Sequence, residues 1–112
     1  NVAPPVQEFM NRWPFEGTPL RDKIGAAFVT AGGISAGEEL TQLSILHSML
    51  IFGMIVVGGP EWESAFGASA ITVEEPFGKA QKEKIVSEHF LKKGEALGKR
   101  VAQLVIKWKQ IR

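Results

Sequence analysis

Apolar positions fall along the chain in two rhythms, one of spacings of three and four and one of unbroken short runs. Pro4 and Pro5 lead into Val6, Phe9, Met10 and Trp13. That spacing predicts a short helix, and proline is tolerated in its first turn because the amide it lacks would have no helical partner there. The Trp13-Pro14 step and the Gly17-Thr18-Pro19 cluster end it. Lys23-Ile24-Gly25-Ala26-Ala27-Phe28-Val29-Thr30 is then a nearly continuous apolar run. With no polar face, it predicts a central strand covered on two sides. The run stops at a small-residue loop, Ala31 to Gly37.

A helix is expected from about Glu38 to Phe52, its wide apolar face supplied by Leu43, Leu46, Met49, Leu50 and Phe52. Glu38 and Glu39 sit in its first turn, where the helix dipole favours negative charge. Gly53 closes it, since glycine accepts the left-handed geometry of a helix end. Met54-Ile55-Val56-Val57 predicts a second buried strand, and residues 58–78 a loop long enough to expect a role for it. Phe90, Leu97, Val101, Leu104, Trp108 and Ile111, with Gly94 in the gap, form the stripe of a last, amphipathic helix. Leu43 to Val57 is too short for a membrane span, and His47 and Gly53 interrupt it.

Strand, helix, strand, helix predicts an α/β domain, residues 1–112, with a parallel sheet. Two strands among three helices make a poor independent sheet, so partners are expected, from more chain or from another polypeptide. The start at Asn1, running directly into Pro4-Pro5, reads as that of a fragment or processed product.

Composition narrows the function. The chain is 45% hydrophobic and 22% charged with a net charge of +1, which fits a globular protein and gives no reason to expect nucleic acid or a membrane as partner. Lys and Arg dominate residues 80–112, nine against three acidic residues. The apolar stripe there reads better as a docked helix with a lysine-rich outer face than as a basic arm. There is no cysteine, so disulfides, thiolate metal sites and cysteine nucleophiles are excluded. His47 and His89 have no second ligand at metal spacing. Ser44 and Ser48 lack a recognisable base, and Glu74-Glu75 read as a solvated loop. Trp62, Phe66 and Phe77 could cover a planar ligand or a neighbouring subunit, or simply anchor the long loop.

The strongest chemical signal is the loop after the first strand, Thr30-Ala31-Gly32-Gly33-Ile34-Ser35-Ala36-Gly37. Ligands of open α/β sheets bind beyond the carboxyl ends of strands, and glycines let backbone N–H groups approach a flat ring or an anion. Many such loops are purely structural. This one lacks the lysine of a P-loop and the spacing of a dinucleotide fingerprint.

Several separated stretches resemble one family. They are Lys23 to Gly33, Gly37-Glu38-Glu39, Gly53-Met54-Ile55-Val56-Val57-Gly58, Phe66-Gly67-Ala68-Ser69-Ala70 and Ala96-Leu97-Gly98-Lys99-Arg100-Val101-Ala102. In that order they are similar to the C-terminal half of flavodoxin-like proteins, above all the WrbA-type NAD(P)H:quinone oxidoreductases, or multimeric flavodoxins. Asn1 to Trp13 resembles the segment after the third strand of that fold. The resemblance implies a three-layer α/β sandwich with a parallel sheet, of which this chain holds the last two strands and their helices. It implies a noncovalent FMN site, NAD(P)H as possible donor and a cytoplasmic protein. The missing N-terminal half would be a partner, and a homodimer or homotetramer the expected assembly.

The site residues implied by the resemblance are Asn1 and Val2, from the loop after the third strand, and Thr30, Ala31, Gly32, Gly33, Ile34 and Ser35 from the loop after the fourth. There the backbone amides would meet the pyrimidine edge of the flavin. Phe52 is added at the end of the following helix, where many such reductases carry a histidine pair and this chain has Ile51-Phe52. The phosphate-binding loop of the family has no counterpart here. No side chain is expected to act as acid or base. The implied function is NAD(P)H:quinone oxidoreduction; the alternatives are a non-enzymatic flavodoxin carrier and a cofactor-free interaction module.

Overall fold

The computed structural model describes residues 1–33, 36–72 and 86–111. Its elements run α1 (Pro4–Asn11), β1 (Ile24–Gly25), β2 (Phe28–Ala31), α2 (Glu38–Ile51), β3 (Ile55–Val56), a 3-10 turn (Trp62–Ser64), β4 (Ala68–Ile71) and α3 (Glu88–Ile111). The three helices lie where the apolar spacing puts them. No helix among the described residues is long and apolar enough to cross a membrane.

The strand expected over Lys23–Thr30 forms in two pieces with different partners. β1 runs parallel to β3, with Ile24 opposite Ile55, and β2 runs parallel to β4, with Phe28 opposite Ala68. The carbonyls of Lys23, Gly25, Ala27 and Ala31 accept hydrogen bonds from the amides of Ile55 (2.9 Å), Val57 (3.0 Å), Ala68 (3.2 Å) and Thr72 (2.9 Å). Backbone groups of an extended chain alternate direction from one residue to the next, so acceptors separated by even steps share one edge. β3 and β4 are therefore two half-strands zipped in series along a single edge.

β4 corrects the expectation of an unstructured loop from Gly58 to Gly78. Ala68-Ser69-Ala70 has little intrinsic strand preference, and the pairing comes from its partner and its burial rather than its local sequence. Between the half-strands the chain makes a tight excursion. Gly67 adopts φ +124°, and a Cβ there would overlap the Ala27 carbonyl oxygen; one at Gly58 would overlap the Ala65 carbonyl oxygen. Glycine is thus required where the excursion leaves and rejoins the sheet.

A second correction concerns cover. Val29 and Ala31 are only half-buried and Phe28 is 78% exposed, so the strand is not enclosed on both sides. Clefts lie open on both of its faces, one toward α1 and α2 and one toward α3. The buried apolar residues are Met10 of α1, Ala27, Leu46 of α2, Ala68, Ala70 and Ile71 of β4, and Leu97 of α3. α2 packs on β2 and β3, and α3 on β1 and β4. Two polar contacts bind these layers to the excursion. Gln42, 2% exposed, donates from Nε2 to the Ala68 carbonyl at 3.0 Å, and Arg100 Nε donates to the Gly58 carbonyl at 3.0 Å. Trp108 Nε1 likewise donates to the Asp22 carbonyl at 3.1 Å, fastening the far end of α3. Mixed helix and strand with parallel pairing is compatible with an α/β flavodoxin-like fold.

Candidate functional site

The loop after β2 begins as the sequence predicts. Ala31 ends the strand, Gly32 and Gly33 follow, and the Ala36 amide turns back to the Gly33 carbonyl at 3.3 Å. Gly37, at φ +94°, starts α2, and its carbonyl accepts from the Thr41 amide (3.0 Å) and the Thr41 hydroxyl (3.1 Å). Among the described residues no hydrogen bond engages the amides of Gly32 and Gly33. Two backbone donors are thus presented at the carboxyl end of a parallel strand, the position from which open α/β sheets bind ligands.

Beside this loop lies an open cleft of about 500 Å³. Its floor is the strand from Ala26 to Thr30; Asn1, Val2 and the α1 residues Val6 and Met10 form one wall, and Thr41, Ile45 and Met49 of α2 the other. Asn1, Val2 and Thr30, three of the residues singled out from the sequence, converge on it. Ala31, Gly32 and Gly33 continue from Thr30 along the chain. Ile34 and Ser35 lie outside the described residues. Thr41 and Ile45 escaped the sequence reading, although their spacing of four along α2 marks them as one face of a helix.

Phe52 does not join this group. Its ring stacks on Phe15, with centroids 4.1 Å apart and planes at 16°, and meets Trp13 edge-on at 5.4 Å. Phe52 follows the last residue of α2 and Thr30 precedes its first, and a 14-residue helix is roughly 20 Å long. Trp13 in turn meets Phe9 edge-on at 5.9 Å, so these rings fasten α1 to the far end of α2.

The remaining candidates have structural places. Glu38 and Glu39 occupy the first turn of α2. The Ser44 and Ser48 hydroxyls donate back to the Leu40 and Ser44 carbonyls within their own helix. His89 packs edge-on against Phe90. Trp62, in the 3-10 turn, is 85% exposed, and Phe66 is exposed as well. Glu74, Glu75 and Phe77 lie outside the described residues. Among the described residues no three His, Asp or Glu side chains gather as a metal site would require.

No family model matches the chain. Curated proteins do. A flavodoxin of Clostridium saccharobutylicum is 38% identical over 52 residues, which are 45% of this chain and 32% of that protein. An NAD(P)H dehydrogenase (quinone) of Azorhizobium caulinodans is 37% identical over 60 residues, 53% of this chain and 30% of its own length. A third match, an NAD(P)H dehydrogenase (quinone) of Acidovorax ebreus, is 44% identical over 41 residues, 37% of this chain and 20% of its own. The similarity supports a flavodoxin-like family. The matched part of the chain spans about a third of the length of these flavodoxin-like relatives or less.

Proposed function

We propose that this chain supplies the ring-binding part of an FMN-dependent redox protein whose reaction is NAD(P)H:quinone oxidoreduction of the WrbA type. One observation carries the reading. Asn1, Val2 and Thr30 meet in an apolar cleft at the carboxyl end of a parallel strand, next to the unengaged amides of Gly32 and Gly33. An apolar slot edged by backbone donors suits a planar heteroaromatic ring with carbonyl oxygens on one side. The same cleft has no Lys or Arg in its lining, so it suits the ring and not a phosphate. The phosphate contacts belong, on this reading, to polypeptide outside these 112 residues.

Bound there, FMN would supply hydride acceptance from a nicotinamide and electron delivery to a quinone. The chain's own contribution is binding and tuning. Amides at the pyrimidine edge favour the ring when it carries extra negative charge, and the apolar walls of α1 and α2 limit water around it.

A second reading, a flavodoxin that only carries electrons, is favoured by the Clostridium match and by Ile51-Phe52 standing where the resemblance expects a histidine pair. The test is the native protein's absorption spectrum followed by NAD(P)H oxidation with a benzoquinone acceptor. A flavin band with turnover is expected. A flavin band without turnover replaces the enzyme with the carrier, and a colourless protein removes both.

A further inference from the structure

Charge is unevenly placed on this molecule, and the end of α3 carries the positive side. Residues 1–79 hold nine acidic and four basic side chains, whereas from Ala96 to Arg112 there are five basic residues and no acidic one. A net charge of +1 therefore conceals a helix end that is strongly cationic. Docking on the sheet does not neutralise it. Lys99, Lys107 and Lys109 are exposed, and among the described residues the ion pair that α3 makes comes from Lys93, nearer its start.

These lysines surround an apolar centre. Successive residues of an α-helix are about 100° apart, so Ile106 and Trp108 lie nearly opposite each other. Trp108 turns inward, where its indole donates to the Asp22 carbonyl, and Leu97 on the same side is buried. Ile106 accordingly points outward and is 59% exposed. Its neighbours one turn away on that face are Ala102 and Gln103 before it and Lys109 and Gln110 after it, all exposed. Lys99 lies in line two turns earlier, and Lys107 stands at the flank. The outer face of these last turns is thus an isoleucine ringed by ammonium groups, with no carboxylate among them.

We propose that the outer face of α3 from Lys99 to Lys109 is a docking surface for an anionic lipid bilayer. A bilayer fits both halves of the observation. Lysines hold their ammonium groups at the level of acidic headgroups while their stems and Ile106 reach the acyl boundary. Each cation near such a surface strengthens binding about fivefold, so three lysines and one isoleucine suit a reversible attachment rather than a fixed anchor. A polynucleotide would use the lysines, but this face offers it no aromatic side chain for a base and leaves Ile106 without a role. The acidic remainder of the chain helps to orient the molecule, since the surface that attracts α3 repels it.

The experiment is sedimentation of the native gene product with lipid vesicles, and no readout uses a flavin. Vesicles of phosphatidylcholine with roughly one-third phosphatidylglycerol should bind at least ~10-fold more tightly than phosphatidylcholine alone, and about 1 M salt should release the protein. The triple variant Lys99→Gln, Lys107→Gln, Lys109→Gln should lose that preference, and Ile106→Ser should weaken binding at least ~3-fold. Both should keep the urea midpoint, because all four side chains are exposed. Equal binding to the two kinds of vesicle, binding to neither, or a preference that survives the triple substitution overturns the proposal. So does retention on a polynucleotide without binding to the vesicles. A colourless protein that binds the anionic vesicles would refute the proposed function alone.

Discussion

The two edges of the strand from Ile24 to Ala31 are built on opposite plans. One is closed by half-strands joined through an excursion whose glycines sit within contact distance of backbone, so that almost any side chain there would collide. The other carries side chains with room around them, exposed Phe28 among them, and a cleft on either side. A closed edge leaves its mark in residues that must be small. An open edge leaves it in apolar residues that stay exposed or half-buried, Phe28 and Val29 among them. The contrast teaches that an uninterrupted apolar run does not by itself report a strand covered on both faces.

The sharpest way to break the closed edge is Gly67→Ala. The methyl would overlap the Ala27 carbonyl oxygen, and φ +124° is strained for any L side chain. Strain and overpacking together predict a loss of about 3 kcal/mol, read as a lower urea midpoint at unchanged slope. Gln42→Leu tests the same edge from α2. It removes a buried hydrogen bond to the Ala68 carbonyl while keeping the volume, at a cost of about 1 kcal/mol in the same titration.

Much of this was legible in the sequence because it rests on local signals. Pro4-Pro5, Glu38-Glu39 and Gly53 mark helix ends, and spacings of three and four fix the helix faces. The Gly32-Gly33 loop and its position after a strand were legible for the same reason. β4 was not, since Ala68-Ser69-Ala70 becomes a strand only through a partner some forty residues earlier. Nor was the separation of Phe52 from Thr30. Which end of a helix a residue occupies is plain from sequence, but the stack of Phe52 on Phe15 depends on how α1 and its following loop return to that end.

Lys93→Ala is a milder test of the excursion. Lys93 Nζ lies 3.3 Å from a carboxylate oxygen of Glu63, tying α3 to the 3-10 turn. The Glu63 side chain is half-exposed, so the pair contributes little, and a loss of at most ~0.5 kcal/mol is expected, shrinking further in high salt. A fall comparable to that of Gly67→Ala would mean that the excursion is held by charge and not by the backbone fit of its glycines.

The smallest effect is expected on the open edge. Phe28 is 78% exposed, so Phe28→Ala should change the unfolding free energy of the chain, read by urea titration, by less than ~0.5 kcal/mol. A buried phenylalanine would cost about 3 kcal/mol or more. The same substitution therefore measures the state of the edge. A change below ~0.5 kcal/mol is what an open edge predicts. Costly in these 112 residues, the substitution would mean that the edge closes on itself, and the contrast between the two edges would fail.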